Sequence, residues 1–118
     1  MTKRKVVEEA PTDFLAAHKQ EIAAHPDSTI AFVDKGWSHL SRGEYGLALE
    51  AFEKAASLDS RSIDAQYGLG AAARLKGDKD RAIRAFQRAV EISAAGTDAI
   101  KGTMMGRMAR WSLKDLQK

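Results

Sequence analysis

Apolar residues along this 118-residue chain recur three and four positions apart, the spacing of one helix face, and Pro or Gly interrupts them at intervals. Phe14, Leu15, His18 and Ile22 share one face of a first helix, with Thr12 as its N-cap and Pro26 as its stop. Ser28 caps a second helix over about 29–41, Gly43 supplies the left-handed residue that ends it, and Glu44 begins a third helix running to about Leu58. Ser60 or Ser62 opens a fourth helix that Gly77 closes, and Asp78 caps a fifth that continues to about Ser93. Beyond the Gly96-Thr97 boundary, a sixth helix from Asp98 to near Leu116 places Ile100, Met104, Met108 and Trp111 on one face. The pattern predicts an all-α chain of about six antiparallel helices with short connections.

The pattern also repeats. A shift of 34 residues brings seven identities into register: Ala31/Ala65, Gly36/Gly70, Gly43/Gly77, Ala48/Ala82, Ala51/Ala85, Phe52/Phe86 and Ala55/Ala89. A fixed period of this length marks a stack of units, none of which can bury its apolar face alone. Gly36 and Gly70 fall in the first helix of each unit, Ala48 and Ala82 in the second. Small residues at these places let the two helices approach closely, while Phe52 and Phe86 fill the space between successive hairpins.

Residues 29 to 94 resemble two tandem tetratricopeptide repeats. The family pattern W-x2-L-G-x2-Y, A-x3-F and a closing Pro is met by Leu69-Gly70, by Ala48 with Phe52 and by Ala82 with Phe86, with Phe32 in the Trp slot. Lys35 stands for the Leu, His39 and Ala73 for the Tyr, Gln66 for the Trp, and Ser60 and Ala94 for the Pro. Pro26 lies one period before Ser60, as though the first helix were the second half of a preceding, degenerate repeat. The resemblance implies an α-α superhelix of helical hairpins. A charged lead-in over 1–10 is expected before a single domain over 11–118, with repeats at about 29–62 and 63–96 and a solvating cap at about 97–117.

In this family the first helices of successive hairpins line a concave face that takes a peptide. Carried over by register, the groove residues are Ile30, Val33, Trp37 and Leu40, then Asp64, Tyr67, Ala71 and Arg74, extended by Lys101, Met105 and Met108. Trp37, aligned with Ala71, is the expected binding hot spot; the alternative is that the first or last helix covers it, and Tyr67 shares that alternative. The family's Lys/Asn/Arg clamp for acidic chaperone tails has no counterpart, since its positions hold Val33, Trp37, Gly68, Asp98 and Gly102. An apolar or aromatic-bearing segment is the expected ligand.

Charge adds a second surface. Residues 1 to 59 carry 7 Lys/Arg against 10 Asp/Glu, and residues 60 to 118 carry 12 against 6, so the halves stand at −3 and +6. Arg81, Arg84 and Arg88 line one face of the fifth helix, and Arg107, Arg110, Lys114 and Lys118 one face of the sixth. This basic surface suits a solvated helix face, or contact with nucleic acid or an acidic protein. Base stacking is poorly served, with only Trp111 near it. Met104, Met105, Met108 and Trp111 beside these cations fit core packing of a capping helix, or an adaptable surface for a partner helix.

The chain has no cysteine, which removes disulfides, thiolate chemistry and cysteine-ligated metal. The apolar run after the basic start is only Val6-Val7, too short for a secretory signal or a membrane span. Gly68-Leu69-Gly70-Ala71-Ala72-Ala73 satisfies G-x-G-x-x-A, but that motif needs a strand before it and a helix starting at the glycines, and here it falls in mid-helix. Gly102-x3-Gly106 imitates a membrane-helix dimer motif, yet Lys101, Arg107 and Arg110 surround it. His18, His25 and His39 lack metal-ligand spacing, and no nucleophile, base and orienting acid assemble. The expectation is a cytoplasmic, cofactor-free, non-enzymatic adaptor that holds a segment of a partner protein. The alternatives are a nucleic-acid or ribonucleoprotein-associated factor, and a homo-oligomer that stacks through its end helices.

Overall fold

Local signals set the helix boundaries. A computed structural model describes residues 19–95 and 99–117, the side chains of 99–103 excepted. Its elements are α1 (19–24), α2 (Thr29–Ser41), α3 (Tyr45–Leu58), α4 (Ile63–Lys76), α5 (Lys79–Ala95) and α6 (Ala99–Leu116), and every described element is helical. Thr12, Phe14, Leu15 and His18 lie outside the described residues, as do Gly96, Thr97, Asp98 and Lys118. The Ser28 and Ser62 hydroxyls each accept from the backbone N–H three residues on, at 3.2 Å, satisfying a donor that the first helical turn leaves unpaired. Asp78 does the same for α5 by accepting from the Arg81 N–H. Of the two serines that suit the start of the fourth helix, Ser62 is the cap.

The two hairpin turns are built alike, one period apart. Gly43 and Gly77 adopt φ of +78° and +97°, a region that costs a residue with a Cβ. The turn closes when Glu44 N–H donates to the His39 carbonyl at 2.9 Å, and Asp78 N–H to the Ala73 carbonyl at 2.8 Å.

Consecutive helices pack on one another from α2 to α6, and the first helices of the units also touch directly, α2 against α4 and α4 against α6. The core is poor in bulk. Phe52, Phe86 and Val33 are its largest fully buried side chains, and alanines at 48, 55, 65, 72, 73, 82, 89 and 109 are wholly shielded. The glycines explain how the rings fit. A Cβ on Gly36 would come within 2.6 Å of the Phe52 ring, one on Gly68 would collide with the same ring, and one on Gly70 would come within 2.6 Å of Phe86. Phe52 is therefore clamped between its own hairpin's first helix and the first helix of the next, through glycine on both sides.

Candidate functional site

The face shared by α2, α4 and α6 is more filled than the repeat register suggests. Trp37 is 5% exposed, its ring edge-on to Phe52 at a centroid distance of 5.2 Å and tilted against Tyr67 at 6.3 Å. Val33, Leu40 and Met105 are also buried. These four residues, expected to line an open groove, belong to the core: three slender first helices leave gaps between alanines and glycines that only larger side chains can fill. Trp37 is thus a packing residue, and the rings against it come from Phe52 of α3 and Tyr67 of α4, whereas the alternative reading expects the first or last helix to cover it.

What remains accessible along this face is a strip of half-buried residues. Ile30 comes from α2, and Asp64, Tyr67 and Ala71 from α4, with Arg74 exposed at the end. Tyr67 continues the aromatic row from Trp37 to Phe86, 5.6 Å away. Burial raises the pKa of its phenol, an effect that the nearby Arg74 charge offsets in part, so Tyr67 stays neutral through the physiological range. Arg74 reaches across to α6 and donates to Asp115 at 3.1 Å. Met108 is 44% exposed, and the Lys101 side chain lies outside the described residues.

The cations divide into two groups. Arg81 pairs with Glu53 of α3 at 2.6 Å, and Arg88 with Glu91 at 3.2 Å. Half-exposed pairs of this kind add little stability, but they neutralise the charge a phosphate would seek. The predicted row Arg81, Arg84 and Arg88 is therefore not a row of open cations. Arg107, Arg110 and Lys114 are exposed and have no ion-pair partner among the described residues.

Helix α6 departs furthest from expectation. Core packing is one of the two readings of its Met and Trp cluster, yet Met104 is 59% exposed and Trp111 76%. Only Met105 of the cluster is buried, alongside Ala109 and Ser112, and Gly106 lies against Ser93 of α5. The helix has two apolar stripes about one residue apart, and α5 takes the slimmer one because glycine and alanine allow the closer approach. The outer stripe of Met108 and Trp111, with Arg107, Arg110 and Lys114, borders an open depression of about 710 Å3.

The motifs that imitate chemistry resolve into packing. Gly68 and Gly70 lie inside α4 beneath phenylalanine rings, not at a helix start where amides could meet a phosphate. His39 is engaged with Glu44, Nδ1 to Oε1 at 2.8 Å, in a small exposed network that Arg42 joins. No group of three metal-ligating side chains occurs among the described residues, and no described helix is long and apolar enough to cross a membrane.

Stacked helical hairpins with a 34-residue period, glycine-phenylalanine clamps and side-by-side first helices define an α-α superhelical repeat protein. The family model described as tetratricopeptide repeat matches residues 10–63 and 33–98, and the chain belongs to that family. The matches span three quarters of the chain and include the segment before Pro26. Repeats of this family serve protein–protein interaction and are typically non-catalytic. A comparison with curated proteins finds no match to the chain.

Proposed function

We propose that the protein is a non-catalytic cytoplasmic adaptor that holds a segment of a partner protein along the face of α2, α4 and α6. The observation that carries this reading is the row of half-buried Ile30, Asp64, Tyr67 and Ala71 on first helices that stand side by side. The row offers apolar contact with a charged residue at either end, Asp64 and Arg74. An extended segment with a small apolar or aromatic residue opposite Ala71 fits it, through an interface below about 1,200 Å2 and hence a transient complex. Trp37 and Met105 support the floor of this face and do not contact the segment.

The test follows from that geometry. A peptide selected from a displayed library against the whole protein is titrated into the native chain and into Ala71→Glu. The variant is expected to weaken binding by at least about tenfold while keeping its thermal transition, because Ala71 is only half-buried. Unchanged affinity would remove this face from the function. Trp37→Ala is unsuited to the purpose, since emptying its core site costs about 3–5 kcal/mol and would report folding.

The nucleic-acid reading has less support. With Arg81 and Arg88 neutralised, the exposed, unpaired cations left among the described residues of the two basic stripes are Arg84 on α5 and Arg107, Arg110 and Lys114 on α6, beside the exposed indole of Trp111. A steep fall of RNA affinity with salt that disappears in Arg107→Glu/Arg110→Glu would restore it.

A further inference from the structure

We propose that the outer face of α6 is a second docking surface, which takes an acidic amphipathic helix of a partner protein. The repeat register identifies the face. Gly36, Gly70 and Met104 occupy one register position, each 34 residues from the next. On α2 that position is covered by Phe52 of α3, and on α4 by Phe86 of α5. On α6 it is Met104, 59% exposed. The opposite face of each helix keeps its usual role: Ala72 is wholly shielded, and Gly106, one period later, lies on Ser93 of α5. Helix α6 thus packs backwards on α5 as α4 does on α3, and presents outward the face on which its two counterparts each hold a helix.

The chemistry of the face departs from its counterparts in two ways. Glycine gives way to methionine, and Met108 and Trp111 extend the stripe by one turn, so the helix seated there does so on flexible thioethers and an indole and not in a tight glycine notch. Arg107, Arg110 and Lys114 flank the stripe without an ion-pair partner among the described residues; on the preceding helices Arg74, Arg81 and Arg88 are paired, and Arg84 is exposed without one. Three unmatched cations beside an apolar stripe call for carboxylates on the incoming helix. They also disfavour a second copy seated α6 on α6, which would bring six cations together. An incoming helix with apolar residues at i, i+4 and i+7 and glutamates beside them satisfies both the stripe and its rim.

The probe is a labelled synthetic peptide of the length of α6, 18 residues, with leucines on one helical face and glutamates beside them, and a twin with each glutamate replaced by lysine. Anisotropy titrations with the whole protein are expected to show binding of the glutamate peptide at least about tenfold tighter than of its twin. Trp111→Ala is expected to weaken the glutamate peptide by about tenfold or more with an unchanged melting transition, since the indole is largely solvent-exposed. Arg107→Glu/Arg110→Glu/Lys114→Glu is expected to reverse the preference between the two peptides.

Four results would overturn the proposal. The first is absence of binding, or equal binding of the twins. The second is binding that ignores Trp111→Ala but is lost in Ala71→Glu, which would assign the peptide to the α2/α4/α6 face. The third is a mass in sedimentation that rises with concentration for the native chain but not for Trp111→Ala, which would make this a contact between copies. The fourth is capture by phosphatidylserine-containing vesicles, dependent on Trp111, in place of peptide binding, which would make it a membrane-facing helix.

Discussion

At the scale of single residues, the fold depends on where a side chain is missing. Gly68→Ala puts a Cβ into the Phe52 ring, and relief of that overlap is expected to cost about 1–3 kcal/mol. Gly46, in α3, meets nothing within 4 Å, and Gly46→Ala is expected to gain up to about 0.5 kcal/mol through helix propensity. Urea denaturation of the two variants checks the contrast, and equal effects would show that the ring clamp is not what selects glycine. Asp34 offers a pH test. It is half-buried on α2, and desolvation raises its pKa above the ordinary 3.8. A carboxyl raised in the folded state favours folding below its unfolded pKa and loses that advantage as pH rises through the folded value. Asp34→Asn is therefore expected to raise the melting temperature at pH 7 and to leave it nearly unchanged at pH 3. Glu44, whose pKa His39 and Arg42 hold below its ordinary value, works in the opposite sense, its contribution being lost as pH falls.

At the scale of elements, helix ends are defined by residues within a few positions of the boundary. Ser62→Ala removes the acceptor for the Ala65 N–H and is expected to cost about 1 kcal/mol, with Ser28→Ala behaving alike. Gly77→Ala forces an L side chain to φ near +97° and is expected to cost about 1–2 kcal/mol. Lys35, which replaces the leucine of the family pattern, has an element-level explanation: its ammonium sits over the Phe32 ring, 4.9 Å from the centroid, so the two departures from the pattern answer each other on α2.

At the scale of the whole molecule, Phe52 is the joint between units, touching Gly36 of its own hairpin and Gly68 of the next. Phe52→Ala is expected to cost about 3–5 kcal/mol, a large share of the roughly 5–15 kcal/mol that holds a small domain together. Because the ring links two units, the loss is expected to split the unfolding transition, with circular dichroism and tryptophan fluorescence no longer coincident. Coincident transitions at a lower midpoint would show instead that the units remain coupled through the first-helix contacts. The charge asymmetry of the two halves also acts at this scale: the acidic residues of α3 and α5 consume Arg81 and Arg88, while Arg107, Arg110 and Lys114 on α6 stay exposed.

The sequence by itself determined the period, the helices and their caps, and with them the family. Ser28, Gly43, Gly77 and Asp78 act through hydrogen bonds that span five residues or fewer, so their roles are visible without knowledge of what packs where. Which face of each helix meets which neighbour was decided only by the tertiary structure. Trp37 carries no local mark that separates an open groove from a core, and it is buried because Phe52 and Tyr67 converge on it from two other helices. Met104, Met108 and Trp111 form as good an apolar stripe as Met105, Ala109 and Ser112, or a better one. On a helix of 3.6 residues per turn the two stripes lie about 100° apart, and hydrophobicity favours the larger side chains. The smaller stripe is the buried one, because close packing against Ser93 and its neighbours on α5 rewards shape, and shape belongs to the pair of surfaces and not to either sequence alone.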